Sequence, residues 1–216
     1  MRNLLGPPTI TYCETAIDWI IRRPWYALSN ISFFIAAWAI YRTERSRLAR
    51  LFTCLVVIVG TMSFLYDTTY LYAFQLLDLS AMLLFIAALI WLNIIFFISK
   101  QRAATILATT GIISLGCIVY FGGVAGNIIF GLYVVALIVT QLYLFHRRLH
   151  TDRAYWIVTF VVFVAGFGVW LLDATKIGCF DIGLLNGRAL FHYTSAIAMY
   201  RLFMFYRKQR AQIAHP

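Results

Sequence analysis

The sequence predicts an all-α fold, an integral membrane seven-transmembrane-helix bundle, and three observations carry that prediction. First, 62% of the 216 residues are hydrophobic and only 12% are charged, with a mean hydropathy of +0.83. A soluble domain is about 45–50% apolar and about a quarter charged. Second, the apolar residues fall in long runs. A span needs about 20 residues, so the chain has room for six to eight, and a single spanning segment satisfies its backbone amides only as a helix. Third, the basic residues sort by loop, as membrane topology requires.

In chain order, residues 1–24 form a short polar and amphipathic lead ending at Pro24. It shows no apolar core followed by a small-residue cleavage site, so no signal peptide is expected. The expected spans are 25–41, 51–66, 73–98, 104–121, 128–145, 155–172 and 188–206. Together they make one membrane domain over 1–216. A Gly122-Gly123 turn separates the fourth and fifth spans, and a 15-residue loop, Asp173 to Gly187, precedes the last.

The formal net charge is +10. The segments after the first, third and fifth spans, with the C-terminal tail and the helix ends beside them, hold Arg42, Arg45, Arg47, Arg50, Lys100, Arg102, Arg147, Arg148, Arg153, Arg201, Arg207, Lys208 and Arg210. That is 13 of the 18 Lys and Arg residues; the other side holds Arg2, Arg22, Arg23, Lys176 and Arg188. The bias places the N-terminus outside, in a periplasm or lumen, and the C-terminus in the cytoplasm, in agreement with an odd number of spans. Topology thus accounts for the basic surplus, and no nucleic-acid partner is expected; the expected partner is membrane lipid.

One stretch, Gly60 to Asp78, places Ser63, Asp67, Gln75 and Asp78 in apolar surroundings. An Asp at the centre of a membrane helix costs about 2.5–3.5 kcal/mol on insertion scales, so such groups need partners. Under the predicted topology these residues share the outer end of the bundle with Glu14, Ser29, Asn30, Arg188 and His192. Ser63 and Asp67 are four apart, as are Arg188 and His192, and each pair lies on one helix face. Cys13 and Cys179 also fall on the outer side, where an oxidising exterior permits a disulfide between them. Cys54 and Cys117 lie within spans.

At these residues the chain resembles the alkaline ceramidase family, in the superfamily of seven-helix membrane hydrolases that includes the adiponectin-receptor-like proteins. Three anchors carry the resemblance: Tyr12-Cys13-Glu14 with Pro24 and Ala27-Leu28-Ser29-Asn30; the Gly60–Asp78 stretch; and Asp173, Cys179 and Arg188-Ala-Leu-Phe-His192. The resemblance implies a zinc site of three histidines with a metal-activated water that attacks a lipid amide, assisted by a Ser and an Asp. Ser63 and Asp78 match the two assisting, catalytic residues, and His192 matches the last zinc histidine. Asp67 and Arg188 stand where the other two histidines belong.

An Arg does not ligate zinc, because its guanidinium stays protonated. Two arrangements follow. In one, an Asp67–Arg188 ion pair replaces the metal; in the other, Asp67, His192 and Asp78 rebuild a metal site and Arg188 turns away. The family's calcium-binding lead is also altered, with Thr11 and Arg23 at two expected carboxylate positions, although Glu14 and Asn30 remain as accessory residues. No calcium is expected. The functional expectation is a ceramidase-like membrane hydrolase acting on a lipid amide or ester at the outer end of the bundle. The alternative is a metal-free, non-hydrolytic descendant that binds a lipid or a partner protein. With no internal repeat and the polar groups at one end, the sequence offers no path for a transporter or channel.

Overall fold

A computed structural model describes residues 3–121, 123–147, 152–179 and 183–214. Arg2, Gly122, Arg148 and the middle of the loop before the last helix lie outside the described residues. Those described are helical or connecting, with no strand among them. The helices are α1 (Pro24–Ser29), α2 (Ile31–Thr43), α3 (Arg47–Thr69), α4 (Tyr72–Ile94), α5 (Lys100–Phe121), α6 (Gly123–His146), α7 (Arg153–Ala174) and α8 (Gly187–Ala214).

Five of these, α3 to α7, are long and apolar enough to cross a membrane. The first expected span, 25–41, is instead divided at Asn30. There the Ser29 hydroxyl and the Asn30 amide both donate to the Tyr26 carbonyl, at 2.7 and 2.9 Å, and compete with the helical backbone for that acceptor. The last expected span, 188–206, lies within the 28-residue α8. That helix carries Arg188, His192, Arg201, Arg207 and Lys208, which dilute its hydropathy.

Local chemistry fixes the helix ends that matter for the site. Pro24 begins α1, where its missing N–H costs nothing. Helix α3 starts at Ser46, whose side chain accepts from the Ala49 N–H. It continues past Asp67 to Tyr70, a left-handed C-terminal residue (φ 53°) whose N–H donates to the Tyr66 carbonyl. This extension beyond the expected 66 keeps Ser63 and Asp67 on one continuous helix. A 3₁₀ turn, Gly183–Leu185, leads to Asn186, whose side-chain oxygen accepts from the Ala189 N–H at 2.9 Å and caps α8.

Helix α8 packs along α7 and α2; α3 packs between α2 and α4; α4 contacts α6, with α5 against both. Close approach depends on small residues. A Cβ on Gly60 would come within 2.7 Å of the Phe33 Cβ, and one on Gly187 within 2.7 Å of the Asp173 Cβ. A Cβ on Gly166 would collide with the Thr194 hydroxyl. At the end of the bundle away from the disulfide, an aromatic core forms where Phe52 meets Phe85, Phe203 and Tyr206.

Candidate functional site

The N-terminal lead lies across one end of the bundle. Tyr72 and Ala73, at the start of α4, donate their N–H groups to the carbonyls of Gly6 and Leu4, each at 3.0 Å. Arg22 and Arg23 donate theirs to the carbonyls of Thr68 and Asp67 at the end of α3. The Gln75 side chain holds Thr9 through its N–H at 2.8 Å and its hydroxyl. Cys13 is bonded to Cys179, 166 positions away, which ties the lead to the loop before α8.

This arrangement closes a polar cluster inside the bundle. Asp67, on α3, is fully buried. Its Oδ1 lies 3.0 Å from Arg188 Nε of α8 and 3.0 Å from Arg23 Nη2 of the lead. Its Oδ2 accepts from Asn30 Nδ2 at 3.1 Å. Arg188 continues outward from the pair: Nη2 donates to Asp78 Oδ2 at 3.2 Å, and Nη1 to the Tyr12 hydroxyl at 2.8 Å. Two carboxylates and two guanidiniums therefore neutralise one another, which removes most of the penalty that each charge would carry alone.

Arg23 is enclosed on its remaining sides by aromatic faces. Its guanidinium carbon sits 4.3–5.3 Å from the ring centres of Tyr70, Tyr66, Tyr12 and Tyr26. Its side-chain N–H groups make no directed hydrogen bond to a described residue, although Nη2 is within ion-pair distance of Asp67. Four ring faces and one carboxylate therefore meet its charge, and contacts of this kind contribute about 0.5–2 kcal/mol each.

His192 lies one turn after Arg188 on α8 and is 2% exposed. Its Nδ1 is 2.6 Å from Ser29 Oγ, its Nε2 is 3.4 Å from Ser63 Oγ, and Nε2 is 4.0 Å from Asp67 Oδ2. Glu14 stands apart from this group. Its two oxygens accept from the Trp25 and Tyr26 N–H groups, each at 3.0 Å, and so close the open N-terminus of α1. Burial pushes the Glu14 carboxyl above its ordinary range, against those two N–H groups and Arg23. Tyr12 is also raised, first by burial, with Arg188 and Arg23 opposing.

Asp173, at the end of α7, joins the lead to the start of α8. It accepts from the Cys13 N–H at 2.8 Å, from the Tyr26 hydroxyl at 3.0 and 2.8 Å, and from the Arg188 N–H at 2.6 Å. Asp173 is 1% exposed. Its three partners come from three separate segments, so one carboxylate sets the depth at which Arg188 enters the bundle.

A cavity of about 470 Å³ opens from the cluster. Tyr12, Ser63, Asp78, Arg188 and His192 line its polar end. The rest of its wall is mostly apolar, including Met82 and Phe85 of α4, Phe130 and Val134 of α6, and Phe163 and Phe167 of α7, with Asn127, Thr159 and Ser195 among the polar exceptions. Helices α6 and α7 both face this space and scarcely pack on each other.

Ser63, Asp67, Asp78, Arg188, His192 and Asn30 are thus brought together, with Glu14 one tyrosine away. Sequence reasoning missed Arg23 as a second cation on Asp67, the tyrosines around it, Asp173 as a junction, and Ser29 as the partner of His192. The signal for Asp173 was its place beside Cys179 in the third anchor. For the tyrosines, it was their recurrence at 12, 26, 66 and 70, near the ends of the first elements.

The donor set does not fit a zinc ion. Among the described residues no three His, Cys, Asp or Glu side chains come close enough to share a metal. Both carboxylates that could join His192 hold the Arg188 guanidinium, whose fixed positive charge lies between them. A family profile described as Ceramidase matches residues 8–216, nearly the whole chain. No curated protein matches it.

Proposed function

The chain belongs to the ceramidase family, and on that premise we propose that it is a membrane hydrolase acting on a lipid amide or ester at the disulfide-bearing end of its bundle. The kind of function that membership suggests is lipid amide hydrolysis. The observation that carries the finer reading is the cavity, which is mostly apolar and has its charged and imidazole side chains, Asp78, Arg188 and His192, at one end. Its α4 wall runs from Gln75 to Leu89, a helical rise of about 21 Å, which suits an extended acyl chain. Such a chain would lie against Met82, Phe85 and Phe163, with its carbonyl beside Ser63, Asp78 and His192. The space between α6 and α7 gives a lipid a sideways entry from the bilayer.

The disulfide supports a site on the oxidising side of the membrane, and the basic segments after α2 and α4 support a cytoplasmic opposite end. Together these support a reading with the N-terminus outside and the C-terminus inside. The two remaining segments, α1 with α2 and α8, complete seven spans in this reading. Their buried polar groups, among them Ser29, Asn30, Arg188 and His192, lie inside the bundle, where partners replace water.

A second reading is favoured by Arg188, which three side chains hold where the family has a metal ligand. In that reading the protein binds a lipid or a partner protein without hydrolysing anything. The test is turnover of long-chain fluorogenic amides and esters by the purified, detergent-solubilised protein. Hydrolysis that falls at least about 100-fold in His192→Ala, the span expected for a lost general base, supports the first reading. Saturable lipid binding without turnover supports the second, and neither binding nor turnover contradicts both.

A further inference from the structure

Three polar side chains from three elements form a hydrogen-bonded line inside the bundle. Ser63 of α3 and His192 of α8 line the cavity, and Ser29 of α1 sits on the far side of the imidazole. We propose that Ser63 is a covalent nucleophile, with His192 as its general base and Ser29 as the residue that positions the imidazole. This rests on the hydrolase reading above and gives it a metal-independent route.

The geometry supports each role. A serine hydroxyl has one proton to donate. Ser29 Oγ is 2.7 Å from the Tyr26 carbonyl oxygen, which can only accept, so its proton points there. At 2.6 Å from His192 Nδ1, Ser29 then accepts, and Nδ1 carries the imidazole proton. That tautomer leaves the lone pair on Nε2, which faces Ser63 Oγ at 3.4 Å, with the Asp78 carboxylate as a second acceptor beside the same hydroxyl. A nucleophile and base within reach, the base oriented by a third group, is the arrangement that activates a serine; such contacts are looser before substrate binds. The 4.0 Å contact between Nε2 and Asp67 does not compete, because Asp67 already serves Arg188, Arg23 and Asn30.

Charge for the oxyanion is also at hand. Arg188 has five N–H donors. Nε is bonded to Asp67, one proton of Nη1 to Tyr12 and one of Nη2 to Asp78, so each Nη keeps a further proton, and Arg188 lines the cavity. Here the arginine, though its charge is balanced by Asp67 and Asp78, offers fixed N–H donors to a developing oxyanion.

The chemistry balances without a co-reactant other than water. Ser63 Oγ bonds to the acyl carbon while its proton passes to His192 Nε2. Collapse of the tetrahedral species breaks the C–N bond of an amide, or the C–O bond of an ester, and the leaving nitrogen or oxygen takes the proton from Nε2. An acyl ester on Ser63 remains. Water then adds to that ester, giving its proton to Nε2. The Ser63–acyl bond breaks, Ser63 recovers the proton, and the fatty acid leaves.

The test is reaction of the detergent-solubilised protein with a hexadecyl fluorophosphonate in the presence of a strong chelator, read by intact mass and peptide mapping. The expected result is one adduct per chain on Ser63, blocked by prior incubation with a hydrolysable lipid. The labelling rate should fall at least tenfold in His192→Ala. In Ser29→Ala it should fall with unchanged probe affinity, a split between rate and affinity that a general loosening of the fold would not give. A Ser63→Cys variant, which keeps the side chain's size, should lose the fluorophosphonate adduct and accept an alkyl iodoacetamide. Chelator-resistant hydrolysis by wild type with no adduct on Ser63, or hydrolysis retained in Ser63→Ala, overturns the nucleophile and leaves the hydrolase reading standing. Absence of both hydrolysis and adduct overturns the two together.

Discussion

Asp67 and Arg188 are 121 positions apart in sequence, yet Arg188 Nε lies 3.0 Å from Asp67 Oδ1 inside the bundle. The contact joins α3 to α8 at the level of the candidate site. It is not an isolated pair, because Arg23 approaches the same oxygen and Asp78 holds the other end of Arg188.

This sharing makes the two residues unequal. Asp67→Asn removes the counterion of two buried cations, and loss of one partner from a buried pair costs about 3–5 kcal/mol. Arg188→Met leaves Asp67 paired with Arg23 and takes one partner each from Asp78 and the Tyr12 hydroxyl. Asp67→Asn should therefore lower the melting temperature more than Arg188→Met does. Equal small shifts in a thermal unfolding assay would show that the cluster does not stabilise the fold.

The disulfide closes a loop of most of the chain and anchors the segment that carries Tyr12 and Glu14. Cys13→Ser should cost about 2–4 kcal/mol and release the lead from α3 and α4. Limited proteolysis should then cut between residues 1 and 24 faster than in wild type, while α3 to α8 stay intact. An unchanged cleavage rate would mean that the backbone bonds to Thr68, Gly6 and Leu4 hold the lead by themselves.

Helices α7 and α8 meet where a Cβ on Gly166 would strike Thr194. Gly166→Val should destabilise by about 1–3 kcal/mol through overpacking. Thr194→Gly in the same chain should recover part of that loss, because the two changes act on one contact. Additive destabilisation in the double variant would place the strain elsewhere.

The site can also be driven back toward a metal. With His at positions 67 and 188 beside His192, three imidazoles would converge, but the Arg23 charge would remain next to them. Asp67→His with Arg188→His should therefore bind zinc weakly, and adding Arg23→Gln should tighten binding at least tenfold, read by titration with a zinc-chelating dye. No zinc binding by the triple variant would mean that the three positions do not converge as described.

Much of this was legible in the sequence, and the exceptions have physical causes. The five apolar helices follow from run length, and the gathering of Ser63, Asp67, Asp78, Arg188 and His192 follows from their common depth. Asn30 breaks the first span because side-chain bonds to Tyr26 compete with the helix, a contest that hydropathy does not register. Arg23 could not be assigned to Asp67 because it sits in an irregular lead, where no periodicity fixes its direction. The tyrosine faces around it read as ordinary interfacial aromatics until the lead is seen folded over the bundle. Ser29 was visible only as part of an anchor, since its role depends on a helix 163 positions away.

The central proposal is that the arginine held by two carboxylates stands in the place of a metal ligand in this member of the ceramidase family. The most direct measurement is the zinc content of the purified protein by elemental analysis, after expression with added zinc and without chelator. The account predicts far less than one zinc per chain, unchanged by further zinc loading. About one tightly held zinc per chain, lost in His192→Ala, would contradict it.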